Sequence, residues 1–204
     1  MTPKKFLALI EKQQPELLKL VRDDLPRIVG TKAMQHFREN FARGGFVDRD
    51  LEPWEVTWRQ KTLSGADGQR GPLLSRTNTL RNRIYFRASA GRATIYNNLI
   101  YAAIHNEGGN ITVTPKMRKK FWAMYYQAVG ASKATADKGK GRLKGKTVAH
   151  LNANAESEKW KRMALTKKTQ FKMPQRKFIG PSQALSRNLR TTVENEIRKV
   201  LTSK

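Results

Sequence analysis

Histidine is the side chain best suited to moving a proton near neutral pH, and this chain has three: His36, His105 and His150. None has a second histidine or a carboxylate at a metal-site spacing such as HExxH. His105 with Glu107 is the one pair that invites a general-base reading. Alternate residues of a strand face the same way without implying catalysis, so packing or hydrogen bonding is the expected role of His105. Gly139, Gly141 and Gly145 match a phosphate cradle in composition only, because no strand and helix flank them in the required way. Dinucleotide-loop signatures are missing, and no nucleophile motif points to a Ser-His-Asp triad. The chain has no cysteine, which removes thiol chemistry, disulfides and cysteine-ligated zinc. The residues therefore lead to the expectation that the chain is not an enzyme and uses no cofactor or metal.

Charge gives a stronger signal. The 204 residues carry 41 Lys and Arg against 16 Asp and Glu, a net charge of +25. A balance this basic favours a polyanionic or acidic partner and says nothing about fold. Residues 116–178 hold 18 of the basic side chains and only 3 acidic ones. Within them, Lys138, Lys140, Arg142, Lys144 and Lys146 stand in a Gly- and Lys-rich run whose composition builds no core. A flexible loop is expected at about 130–150, able to touch phosphates without sequence preference through charge and counterion release. Sequence-specific DNA reading is not expected, since no helix-turn-helix or zinc-finger pattern occurs. No apolar run nears the roughly 18 residues of a membrane span. Lys4-Lys5 before Phe6–Ile10 is followed at once by Glu11 with no small-residue cleavage site, so the expectation is an intracellular chain.

The elements that must carry these residues follow from periodicity. Helical spacing covers the first 43 residues: Phe6, Leu9 and Ile10, then a second segment opened by Pro15, then a third opened by Asp24 and Pro26. Ile28, Val29, Ala33, Met34, Phe37 and Phe41 form the apolar stripe of the third, and Gly44-Gly45 stops it. Residues 46–80 read as a loop clipped to the core by Trp54 and Trp58. Ile84–Phe86 and Ala93–Tyr96 flank a Ser-Ala-Gly turn, and Tyr101–His105 and Ile111–Val113 read as further strands of a small antiparallel meander. Thr114-Pro115 opens a helix through Phe121, Met124, Tyr125 and Val129. Residues 153–169 read as helical, Arg176–Pro181 as extended, and a closing helix begins at Ser182. The fold class expected is α+β: a single domain over 1–204, with a basic insertion at 116–172 inside it.

The segment Asn97–Gly109 (NNLIYAAIHNEGG) resembles the YA-x-IH-x-x-GG signature of the Mu-like phage virion morphogenesis family. Similar matches follow the same order along the chain. They are HFRENFARGGF at 36–46 with Trp54, Leu73-Leu74-Ser75 with Thr79-Leu80-Arg81, and PQRKFIGPS at 174–182 before a terminal helix. Asn78-Thr79 stands where the family usually has Ser-Gly, and Glu107 where an aromatic is common. The signature's chemistry is structural: small Ala102 and Ala103 allow close packing beside Tyr101 and Ile104, and Gly108-Gly109 permits a tight reversal into the next strand. The resemblance implies a tail-completion, tail-terminator or head–tail joining protein of the virion neck. It implies copies arranged in a ring between portal-adaptor and tail-tube proteins, with the basic insertion touching acidic neighbours or DNA in the channel. The rival expectation is a nucleic-acid-binding accessory protein acting non-specifically through 116–178.

Overall fold

The computed structural model describes residues 3–57, 60–61, 66–129 and 155–202. In chain order, its principal elements are α1 (Pro3–Lys19), α2 (Leu25–Arg43), β1 (Gly45–Val47), β2 (Leu51–Pro53), β3 (Ile84–Ser89) and β4 (Arg92–Asn97). Then come α3 (Ala102–Glu107), β5 (Gly109–Thr112), α4 (Pro115–Ala128), α5 (Ala155–Leu165), β6 (Gln170–Met173) and α6 (Gln183–Thr202). The class is α+β. The strands form three separate two-stranded antiparallel ladders, β1–β2, β3–β4 and β5–β6, in place of one continuous meander. The chain divides into two compact units: 1–56 with 70–108 and 174–204, and 57–69 with 109–173. The segment 116–172, read from the sequence as an insertion, falls within the second. No described helix is long and apolar enough to cross a membrane.

In the first unit, α1 continues into α2 through a π-helical turn at Leu20–Asp24, where the Leu25 N–H donates to the Leu20 carbonyl. Pro15 therefore lies inside α1 and opens no new segment. Its fixed φ is already helical, and the missing N–H forfeits one hydrogen bond without ending the helix. Asp24 precedes α2 with helical dihedrals and makes no capping bond. An uninterrupted helix leaves it no orphan N–H groups to satisfy. The other end behaves as the glycine pair requires: Gly44 adopts a left-handed φ of 69° and its N–H donates to the Asn40 carbonyl.

The stretch after α2 departs from the loop expected at 46–80. Phe46 and Val47 are buried, and β1 pairs with β2 in the register Gly45↔Pro53, Phe46↔Glu52, Val47↔Leu51. Trp54 then donates its backbone N–H to the Gly44 carbonyl at 2.9 Å, so the ladder returns the indole to the helix end. Trp54 is buried as expected; Trp58 lies outside the described residues.

Strands β3 and β4 form the hairpin read from the sequence, paired from Ile84↔Asn97 to Ser89↔Arg92. The period of two turns Ile84, Phe86 and Ile95 towards α2. Phe86 lies so close over Gly30 that a Cβ there would overlap its ring, which fixes how near α2 approaches the hairpin. At the tip, the Gly91 N–H donates to the Arg22 carbonyl at 3.0 Å.

Tyr101–His105, expected as a strand, is instead the start of α3. The Ala102 N–H donates to the Leu99 carbonyl and the Gly108 N–H to that of Ile104. Two consecutive alanines favour helix over strand, and a run of only five residues cannot fix a period by itself. Packing against the core decides: Ala102 joins Ala33, Phe37, Phe41, Phe46, Trp54, Leu80, Ile84 and Phe178 in one buried cluster. At its centre, Phe41 meets both Trp54 and Phe178 edge-on, with centroids 5.4 Å apart in each pair. The closing helix α6 packs on α1 and α2, its stripe half-buried and none of its residues fully buried.

In the second unit, β5 and β6 pair from Gly109↔Met173 to Thr112↔Gln170, and the Val113 N–H donates to the Thr169 carbonyl. Thr114 caps α4 as the sequence predicts: its hydroxyl accepts from the Met117 N–H, with Pro115 in the first turn. Buried Phe121 stacks on Trp160 of α5 and meets Phe171 of β6 edge-on.

Candidate functional site

The signature residues Tyr101, Ala102, His105, Gly108 and Gly109 are brought together on α3 and the turn that ends it. Ala102 is buried in the core, while Tyr101 is partly exposed with its ring edge-on to His105. Gly108 and Gly109 have φ of 74° and 132°, conformations that side chains with a Cβ resist; the reversal there requires both. In a helix, residues two apart do not share a face, so α3 separates the His105 and Glu107 side chains that a strand would have aligned. Burial, and then the nearby Arg176 guanidinium, hold the His105 imidazole below its ordinary pKa. Its Nδ1 is buried without a hydrogen-bond partner. A neutral ring in contact with Tyr101 suits packing better than proton transfer.

The hydrogen-bonding centre of this region is Asn106, which the sequence reading did not single out. Its Oδ1 accepts from the backbone N–H groups of Phe178 and Ile179, at 2.9 and 3.0 Å. Its backbone carbonyl accepts from the Gln175 carboxamide, and the Arg176 N–H donates to the His105 carbonyl at 2.8 Å. The same extended segment is gripped from its other sides. The Trp54 indole donates to the Lys177 carbonyl at 2.8 Å, and the Arg176 guanidinium donates twice to the Glu55 carbonyl. Asn40, fully buried, donates to the Phe178 carbonyl and accepts from the Val47 N–H. Ser182 Oγ accepts from the Leu185 N–H, capping α6, and donates to the Val47 carbonyl at 2.8 Å.

Residues 36–54, 101–109 and 174–182 thus form one clasp in which Asn40, Trp54, Asn106, Arg176 and Ser182 bond to backbone groups. Such an arrangement holds a shape and leaves few groups for chemistry. Among the described residues, no cluster of three His, Asp or Glu side chains could hold a metal. Lys138, Lys140, Arg142, Lys144 and Lys146, with Gly139, Gly141, Gly145 and His150, lie outside the described residues.

The described part of the second unit carries its own basic face. α4 has Lys116, Arg118, Lys119 and Lys120 and no acidic residue. Arg118 donates to the carbonyls of Thr166 and Lys168. Trp122, Tyr125 and Tyr126 form a contiguous aromatic group on the helix, Trp122 stacking on Tyr126 at 6.0 Å. On α5, burial pushes the Lys159 amine down to about 8, opposed by the Glu156 carboxylate.

The Lys159 shift has a measurable consequence. From pH 8 to 10.5 the unfolded chain holds the Lys159 proton more tightly than the folded one, so this group adds stability as pH rises. Below pH 8 both forms are charged and the folded state bears the desolvation penalty. Lys159→Met is expected to stabilise the second unit at pH 7 by about 1 kcal/mol, the amine being still half in water. Thermal melts at pH 7 and pH 10 should show that advantage fading at the higher pH.

No family model, curated protein or solved structure matches the chain.

Proposed function

We propose that the chain is a structural, non-enzymatic subunit of a tailed-phage neck, acting in tail completion or head–tail joining. The observation that carries this reading is the convergence of the ordered motifs. HFRENFARGGF, Trp54, the YAAIHNEGG segment and PQRKFIGPS are far apart in sequence, yet all of them build the Asn106 clasp and the Phe41 core. A set of segments joined by packing and by side-chain bonds to backbone suits a part that is positioned by its neighbours. In this reading, copies form a closed ring through heterologous contacts, between portal-adaptor and tail-tube proteins of the virion. The basic segment 116–178 meets acidic neighbours or the DNA that passes through.

Electron microscopy of particles from a phage or prophage lacking the gene tests the reading. Separate filled heads and finished tails are the expected result, restored to joined virions by the gene in trans. Normal joined virions in its absence would remove the joining role.

One observation favours a second reading, a non-specific nucleic-acid-binding accessory protein. The Trp122–Tyr125–Tyr126 group next to Lys116, Lys119 and Lys120 has the aromatic and cationic make-up of a single-strand-binding surface. Binding that persists near physiological salt with a steep salt dependence is its signature.

A further inference from the structure

We propose that the outward face of the β3–β4 hairpin, together with the Ile100–Tyr101 turn that follows it, is a docking surface for an acidic protein face. With Ile84, Phe86 and Ile95 turned to α2, the pleat places Tyr85, Arg87 and Ser89 of β3 outward, opposite Tyr96, Thr94 and Arg92 of β4. Exposure agrees: Arg87, Ser89, Arg92, Thr94 and Tyr96 are exposed, and Tyr85 is half-buried. Tyr85 and Tyr96 form a directly opposed cross-strand pair with centroids 6.0 Å apart. Arg87 and Arg92 are diagonal neighbours on the ladder, roughly 7–8 Å apart at the backbone. Neither has an ion-pair partner among the described residues. Two like charges at that spacing, with no carboxylate between them, gain directly from one supplied by a partner.

The surrounding sequence sharpens the sign and the chemistry. From Gly68 to Asn106 there is no acidic residue and no lysine, but there are six arginines: Arg70, Arg76, Arg81, Arg83, Arg87 and Arg92. The rest of the chain has 22 lysines, so lysine is excluded here from a protein that otherwise uses it freely. A surface that only needs to attract phosphates accepts either cation. Protein interfaces enrich arginine and tyrosine and deplete lysine, because the planar guanidinium sheds water more easily and binds carboxylates through two bonds.

The turn after β4 points the same way. The Ala102 N–H closes on the Leu99 carbonyl at 2.9 Å, and the Leu99 N–H bonds to the Asn97 side chain at 3.1 Å. Ile100 and Tyr101 are thereby held at the tip, 98% and 42% exposed. Turn tips ordinarily take Gly, Asn, Asp, Ser or Pro; a fixed isoleucine gives a phosphate nothing and gives a protein partner an anchor already ordered for binding. Ile100 follows Tyr96 by four residues, at most about 14 Å of chain, so face and anchor fit within one interface of about 800 Å² per partner.

The test uses the full chain and three labelled probes: a peptide of alternating Glu and Leu, an all-Glu peptide of equal length, and a 20-nucleotide oligo-dT. Fluorescence anisotropy compares wild type with Arg87→Glu/Arg92→Glu and with Ile100→Ser. All three positions are exposed, and unchanged circular dichroism and melting temperature establish that both variants fold. The arginine reversal is expected to weaken Glu–Leu peptide binding about tenfold while changing oligo-dT binding less than about twofold. Ile100→Ser is expected to weaken the Glu–Leu peptide about fivefold and leave the all-Glu peptide unchanged. Equal peptide binding by all three proteins, or none by wild type, overturns the proposal. An oligo-dT loss as large as the peptide loss also overturns it and makes the face a nucleic-acid surface.

Discussion

Phe178→Ala is expected to destabilise the first unit by about 3–5 kcal/mol, the cost of emptying a site filled by a buried phenylalanine. Phe178 is 1% exposed and meets Phe41 edge-on. It is also the only member of the buried cluster that comes from the 174–182 segment. Its removal therefore strips the segment of its one fully buried apolar side chain, Ile179 staying partly buried against the cluster, while leaving the backbone bonds to Asn106 nominally in place. Phe178→Leu keeps most of the volume and should cost less than about 1.5 kcal/mol. Urea denaturation followed by tryptophan fluorescence reads both, because Trp54 sits in the same cluster. A loss under about 1 kcal/mol for the alanine variant would mean that the segment is held by its hydrogen bonds and not by packing.

The second large effect separates those contributions. Asn106→Ala leaves the Phe178 and Ile179 N–H groups without their acceptor. Each unsatisfied group costs about 1–3 kcal/mol, so the expected loss is about 2–6 kcal/mol. Asn106→Asp retains an oxygen at the accepting position and should stay within about 1 kcal/mol of wild type at pH 7. Hydrogen exchange gives the sharper reading: in the alanine variant the Phe178 and Ile179 amides should lose protection while those of α2 keep it. If the two variants behave alike, the carboxamide's acceptor oxygen is not what holds the segment. Under the proposed function, the alanine variant should also reduce complementation of a gene-deleted phage.

Much of this fold was legible where local chemistry settles the matter. The α2 stripe ending in Phe37 and Phe41, the Gly44 stop, the Thr114-Pro115 cap and the hairpin around Ala90-Gly91 depend on neighbours in sequence, and all are present. The misread places depend on distant partners. Phe46 and Val47 became a strand because their burial and the return of Trp54 reward pairing with 51–53. Tyr101–His105 became a helix because Ala102 fits the core. Within the clasp, the signature residues could be read as structural, but Asn106 and Asn40 could not be assigned. Their partners at Phe178 lie 72 and 138 residues away, and an asparagine followed by Glu-Gly-Gly has no local mark of a long-range acceptor.

The base of the second unit bears on how this protein can be altered. The chain enters the second unit twice, over 57–69 and over 109–173; on the longer pass the first and last residues, Gly109 and Met173, are ladder partners. Antiparallel partners sit only about 5 Å apart. To the backbone of the first unit, 109–173 is thus a closed excursion whose length does not register. Residues can be added to it or trimmed from it without stretching the Asn106 clasp. A reporter domain with adjacent termini could be spliced there, which makes this base a natural port for engineering.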